Sequence, residues 1–115
     1  MIEVDVWVRG SLQAHTYQIR SLPDDPEEWD ESDVRTLLSE MLRALEREKN
    51  PGGETPPVFM RGFNWIVSPY EKGGVLVHLE MQMGTASAGP IVIDERRLND
   101  LMADVMAPSP PSVVH

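Results

Sequence analysis

The carboxylates of this sequence are concentrated in one short segment. Ser21 to Asp33, with the sequence SLPDDPEEWDESD, contains seven acidic residues and no basic one. The whole chain has 115 residues and a formal charge of −9, so the other residues together carry only −2. The two prolines within the segment argue against a strand or a helix before Asp30.

A concentrated negative surface attracts and orients a basic partner over a long range. An acidic run can equally be a solvated loop that keeps a protein soluble. We expect this segment to bind another protein with a basic surface, and we expect an aromatic side chain among its acids. The expected contact residues are Asp24, Asp25, Glu27, Glu28, Trp29, Asp30 and Glu31.

Trp7 is a second candidate contact residue. It lies between Asp5 and Arg9 on the polar side of an alternating segment. A tryptophan exposed among charged residues is typical of an interface anchor. We therefore expect a second contact surface around Trp7.

The residues needed for catalysis or metal binding do not converge in the sequence. The histidines are His15, His78 and His115, and His78 lies two residues from Glu80 on a predicted strand. Two ligands are too few to define a metal site. Acid–base catalysis needs a carboxyl whose pKa is displaced, which a solvated acidic segment does not provide. The loop Gly84 to Gly89 lacks the lysine of a phosphate-binding loop. We therefore predict no catalytic residue, no cofactor and no metal.

Composition excludes several further classes of function. The chain has no cysteine, so it forms neither disulfides nor a thiolate site. Its negative charge disfavours direct binding to nucleic acid, because that affinity comes from Lys and Arg. No stretch approaches the ~20 apolar residues of a membrane-spanning helix, and no signal-peptide pattern is visible. We expect a soluble cytoplasmic protein that does not contact membranes.

The clearest predicted element is a helix from Ser32 to Lys49. We expect Asp30 to cap it by accepting from the Asp33 amide, while Trp29 and Val34 form a hydrophobic staple. One apolar stripe follows the helical period. Its residues are Val34, Leu37, Leu38, Met41, Leu42 and Leu45.

The N-terminus predicts a β-hairpin. Ile2 to Arg9 alternates strictly between apolar and polar residues, which is typical of a half-buried strand. Gly10 and Ser11 suit a type II′ turn into a second strand over Leu12 to Arg20. The expected pairs are Val8 with Gln13, Val6 with His15, Val4 with Tyr17 and Ile2 with Ile19.

The second half of the chain predicts two longer strands, a possible fifth strand and a helix. We expect strands over Val58 to Ser68 and Val75 to Met83, a loop of small residues over Gly84 to Pro90, and a short strand over Ile91 to Ile93. In the first strand, the expected residues of one face are Phe59, Phe63, Trp65 and Val67. Asp94 is the expected cap of the second helix. The expected buried stripe of that helix is Leu98, Leu101, Met102, Val105 and Met106.

Together these elements predict a two-layer α+β fold. A mainly antiparallel sheet of four to five strands would be packed by one central helix and a C-terminal helix, in the order β-β-α-β-β-(β)-α. This order is similar to the β-grasp arrangement of ubiquitin-like folds, in which a helix crosses a sheet begun by an N-terminal hairpin. We expect a single domain over residues 1–107 and a disordered tail over residues 108–115.

These features favour a small non-enzymatic interaction module, acting as an adaptor, regulator or inhibitor. One form of this hypothesis is mimicry of nucleic acid, in which the negative surface occupies the groove of a DNA-binding protein. An alternative is a small-molecule-binding or enzymatic domain with a pocket between the sheet and the helices, using His15, Tyr17 or His78. A second alternative is a structural subunit that forms a homodimer through an exposed strand edge.

Overall fold

A computed structural model describes residues 1–53 and 58–107 and has the predicted fold class. Five antiparallel strands form one sheet, and two helices pack on it. The elements are β1 (Ile2–Val8), β2 (His15–Ile19), α1 (Glu31–Lys49), β3 (Asn64–Pro69), β4 (Val75–Met81), β5 (Gly84–Ile91) and α2 (Glu95–Met106), with a short 3₁₀ helix at Pro26–Glu28. The expected disordered tail, which includes His115, lies outside the described residues. So do residues 54–57 of the connection after α1.

The strand order across the sheet is β2-β1-β5-β4-β3. The register of the first hairpin confirms three of the predicted pairs: Ile2 with Ile19, Val4 with Tyr17, and Val6 with His15. The predicted turn was wrong by one residue. Ser11 N–H donates to the Val8 carbonyl at 2.9 Å, so Arg9 and Gly10 are the central residues. Gly10 has a φ of 91°, which suits the glycine position of a type II turn.

The second strand is also shorter than predicted. It begins at His15 and not at Leu12, whose side chain is fully exposed. The residues between the turn and His15 have other partners, since the Ser11 hydroxyl donates to the Gln13 carbonyl at 3.0 Å. Local hydrogen bonds here replace the first predicted strand pairs.

The segment Gly84 to Pro90 was wrongly predicted as a loop. It forms most of β5, the central strand, which pairs with β1 on one side and β4 on the other. Ala86 and Ala88 are fully buried. A Cβ at Gly84 would collide with the carbonyl oxygen of Trp7. Small residues are needed here because the neighbouring backbone and α1 approach the strand closely.

The predicted third strand was too long at its N-terminal end. It begins at Asn64, because Gly62 has a φ of 84° and interrupts the extended backbone. Phe59, expected on the inner face, is 61% exposed. Trp65 and Val67 do face the core, as the alternation predicted.

Both helices pack on the same face of the sheet. The predicted stripe of α1 is buried throughout, and Leu98, Met102 and Val105 of α2 are buried as well. The opposite face of the sheet carries the polar members of each alternating strand together with Trp7. None of the described helices is both long and apolar enough to cross a membrane.

Candidate functional site

The carboxylates of the acidic segment, defined here as Ser21 to Asp33, lie at the protein surface between β2 and α1. All of them are exposed except Asp33, which is half-buried. Their backbone is nevertheless folded. Asp25 accepts a hydrogen bond from the Glu27 N–H at 3.0 Å, and Pro26 begins the short 3₁₀ helix that this cap supports. Proline fits this position because its fixed φ suits the first turn and no N–H is needed there.

The second half of the segment begins α1 through a reciprocal cap. Asp30 Oδ1 accepts from the Asp33 N–H at 3.1 Å, and Asp33 Oδ2 accepts from the Asp30 N–H at 3.0 Å. The hydrogen bond from the Asp33 backbone lowers the pKa of the Asp30 carboxyl below its usual value. The predicted N-cap is therefore confirmed, with Asp33 in the role that Glu or Gln often has in a capping box.

The N-terminus of α2 meets the acidic segment as well. Asp94 caps α2 by accepting from the Arg97 N–H at 3.0 Å. Glu27 in turn accepts from the Asp94 N–H at 3.1 Å. Two helix N-termini therefore contact the acidic segment, α1 through Asp30 and Asp33 and α2 through Glu27, and the partial positive charge of each helix end favours carboxylates nearby. This arrangement supplies a physical reason for part of the acidic concentration.

Trp29 attaches the segment to the core. Its side chain is fully buried, and its indole N–H donates to the Pro23 carbonyl at 3.1 Å. Arg97 Nη2 donates to the Trp29 carbonyl at 2.5 Å. Trp29 was expected among the contact residues and also, with Val34, in a hydrophobic staple. Because its side chain packs inward, a partner would meet the surrounding carboxylates and not the indole ring.

Trp7 lies on the other face of the sheet from the helices. It is 39% exposed, and its indole N–H donates to the Ser11 carbonyl at 3.0 Å. Its neighbours Val6 and Val8 face the core side, so Trp7 faces away from it. The structure therefore places the two predicted contact surfaces on different faces of the molecule, where they do not form one site.

Similarity to known proteins assigns no family. No family model, curated protein or solved structure matches this chain significantly. The function of the chain is therefore inferred from its own geometry.

His15 and Tyr17 form a polar cluster with a residue that sequence reasoning missed. Tyr17 donates its hydroxyl to Glu48 at 2.5 Å, and His15 Nδ1 lies 2.7 Å from the same carboxylate. Burial and the neighbouring Glu48 raise the pKa of Tyr17 to about 12, while the hydrogen bonds from Tyr17 and His15 lower the pKa of Glu48. Glu48 follows Leu45 by three residues, so the helical stripe already indicated that it faces the sheet. This cluster joins the last turn of α1 to β2.

His78 lies apart from that cluster, on the face of the sheet that the helices leave open. Its Nδ1 is 2.7 Å from Ser87 Oγ, and its Nε2 is 3.1 Å from Ser68 Oγ. Both ring nitrogens are thus occupied by hydroxyl groups of neighbouring strands. Within residues 1–53 and 58–107, no group of three or more His, Asp or Glu side chains is arranged to hold a metal ion.

A small apolar cavity lies between α1, the segment before β3 and the turn between β4 and β5. Its volume is about 150 Å³. The lining residues are Leu42, Glu46, Val58, Phe59, Arg61, Met81 and Met83. The cavity contains none of the residues His15, Tyr17 and His78, so the polar residues proposed for a pocket and the cavity itself are separate.

Proposed function

We propose that this chain is a non-enzymatic interaction module that binds a basic partner through the acidic segment. The observation that carries the proposal is the combination of exposed carboxylates with a fixed backbone. Caps, the buried Trp29 and the hydrogen bond from Arg97 hold the segment, while its acids face solvent. A surface that is already ordered loses less conformational entropy when it binds.

The carboxylates divide into two groups. Asp25, Glu27, Asp30 and Asp33 accept hydrogen bonds from backbone N–H groups and stabilise the fold. The side chains of Asp24, Glu28 and Glu31 are exposed and accept no hydrogen bond from the described part of the chain. These three are the residues most free to pair with Lys or Arg of a partner.

Charge complementarity defines the class of partner. A cluster of negative charge accelerates the encounter with a basic surface and disfavours acidic ones. The attraction is screened at high ionic strength, so the complex should weaken as salt is added. A DNA-binding protein would belong to this class, and competition with DNA for the same partner would identify mimicry.

The test is a pull-down from native lysate at low and high salt with three forms of the protein. The first is wild type, and the second carries Asp24→Asn, Glu28→Gln and Glu31→Gln. The third is a control that removes the same charge from other exposed acids, with Glu3→Gln, Glu71→Gln and Glu80→Gln. We expect one partner to bind wild type and the control at low salt, and to be lost from the second form and at high salt. Equal binding by all three forms would reject the acidic segment as the contact surface.

The cavity favours a second candidate function, the binding of a small molecule. A volume of about 150 Å³ admits a single apolar ring or a short branched chain. Glu46 and Arg61 supply charged groups at its lining. A ligand at ~100 times its dissociation constant would add ~2.7 kcal/mol to the free energy of unfolding. A thermal-shift screen of metabolites should then find a stabilising ligand whose effect disappears in Val58→Phe, and a screen without any shift would reject this function.

A further inference from the structure

The outer edge of β3 has few of the features that prevent a strand edge from pairing with another chain. The strand order places β2 and β3 at the two edges of the sheet. Within residues 1–53 and 58–107, no segment other than β4 makes backbone hydrogen bonds to β3. Its sequence, NWIVSP, contains no charged residue. Strand edges in natural proteins are commonly protected by charge, proline, a bulge or a covering segment, and within the described residues β3 has only Pro69 at its end.

The opposite edge differs in these respects. β2 has only five residues, and His15 at its start is held against the carboxylate of Glu48. Arg20 follows directly after its end. On β3, by contrast, Ile66 is 55% exposed on the open face of the sheet. β3 is therefore the edge better suited to accept another strand.

The side chains of β3 are compatible with an antiparallel pair formed by two copies of this strand. Residues directly opposite each other in such a pair point to the same face, so a two-fold axis must pass through a residue. An axis through Ile66 places Trp65 opposite Val67 of the second copy on the core side and Ile66 opposite its own copy on the open side. Asn64 then lies opposite Ser68 of the second copy. Aromatic with β-branched, apolar with apolar, and polar with polar residues are all favourable combinations.

Charge opposes a second copy less at this edge than elsewhere. Two chains with a formal charge of −9 repel each other, so contact is least opposed at a strand that has no charged side chain of its own. We infer that β3 pairs antiparallel with β3 of a second copy, about a two-fold axis through Ile66, to make a continuous ten-stranded sheet. The contact involves one strand edge of six residues and is smaller than the about 1,200 Å² of a stable interface. The dimer is therefore weak and dependent on concentration.

The salt dependence separates this inference from the proposed function. Added salt screens the repulsion between the two chains and strengthens the dimer. The same salt weakens a complex between the acidic segment and a basic partner. The two proposals can therefore fail independently.

Sedimentation equilibrium at high salt, between about 10 µM and about 1 mM protein, tests the dimer. We expect wild type to dimerise and Ile66→Lys to weaken dimerisation by about tenfold or more, because two lysines would face each other. Val92→Lys is the matched control, since Val92 is 74% exposed, lies outside β3, and changes the net charge equally. A monomeric wild type at all concentrations, or equal weakening by both variants, would overturn the inference.

Disulfide trapping tests the register without depending on Ile66→Lys remaining folded. The chain has no cysteine, so each single substitution gives one thiol. A two-fold axis at residue 66 brings the Cβ atoms of that position within reach of a disulfide, whereas those of position 68 are too far apart. Under mild oxidation, Ile66→Cys should cross-link much faster than Ser68→Cys and than Leu12→Cys, which reports random collision from a fully exposed site. Equal rates in the three variants would show that β3 does not pair in this way.

Discussion

The acidic segment lies at the surface and is held by local hydrogen bonds and by the buried Trp29, whereas β5 lies at the centre of the sheet and is held by the strands on both sides of it. Both segments contain residues that disfavour regular structure, including two prolines in the acidic segment and one in β5. In the acidic segment, the side chains themselves supply the acceptors that fix the backbone. In β5, the side chains contribute little except their small size. Order at the surface can thus come from local side-chain chemistry, while order at the centre here comes from the neighbouring strands.

The largest expected effect tests how firmly the acidic segment is attached. Trp29→Ala removes a fully buried side chain and its hydrogen bond to Pro23, and should lower the free energy of unfolding by about 3–5 kcal/mol. Chemical denaturation measures the change. Trp7→Ala is the matched control and should cost clearly less, because Trp7 is partly exposed. Equal costs would mean that the segment is not anchored through Trp29.

The next effect tests whether β5 depends on small side chains. Ala86→Leu adds volume at a fully buried position and should destabilise the fold by about 1–3 kcal/mol. Thr85→Leu is the control on the same strand, because Thr85 points to the open face and should tolerate the change. Denaturant midpoints of the two variants give the comparison. If Ala86→Leu is as stable as Thr85→Leu, close packing does not explain the composition of β5.

A smaller effect is expected at the cap between the acidic segment and α1. Asp30→Ala should lower Tm by about 4 °C or more, while Asp30→Asn should retain most of the stability because the amide oxygen still accepts from the Asp33 N–H. The folded pKa of Asp30 is lowered, so its contribution is complete above the ordinary value of about 3.9 and is lost as the pH falls through the folded value. Thermal melts at neutral and acidic pH measure this. If Asp30→Asn loses as much stability as Asp30→Ala, Asp30 does not stabilise α1 as its N-cap.

The smallest effect on stability is expected from the exposed acids that we propose as contacts for the partner. The combined substitution of Asp24→Asn, Glu28→Gln and Glu31→Gln should change Tm by less than about 2 °C, because these side chains are exposed and make no internal hydrogen bond within the described chain. Loss of the partner in this variant could then be attributed to binding. A large drop in Tm would show that these acids stabilise the fold.

Elements with a clear period were predictable from the sequence, and so were the helix caps. The alternation of β1 and β4, the stripe of α1 and the caps at Asp30 and Asp94 are all local patterns. β5 was not predictable, because small residues are required there by the strands and helix around it.

The acidic segment was predictable as a concentration of charge but not as a folded surface. Its link to α2 joins Glu27 to Asp94, residues far apart in the sequence. The role of Trp29 was also open, since the sequence supported both an inward-facing hydrophobic staple and a contact residue among the acids. Both features depend on which helix ends meet in three dimensions.

The central position of β5 beside β1 has a consequence for the order of folding. β1 begins at Ile2, and its partner β5 begins only at Gly84, so the pairing at the middle of the sheet closes a loop of most of the chain. Closing such a loop costs entropy before it brings contacts, and chains rich in distant contacts fold slowly. During synthesis, the core shared by the first hairpin and α1 is complete only after β5 has been made. Until then their apolar surfaces stay available to chaperones.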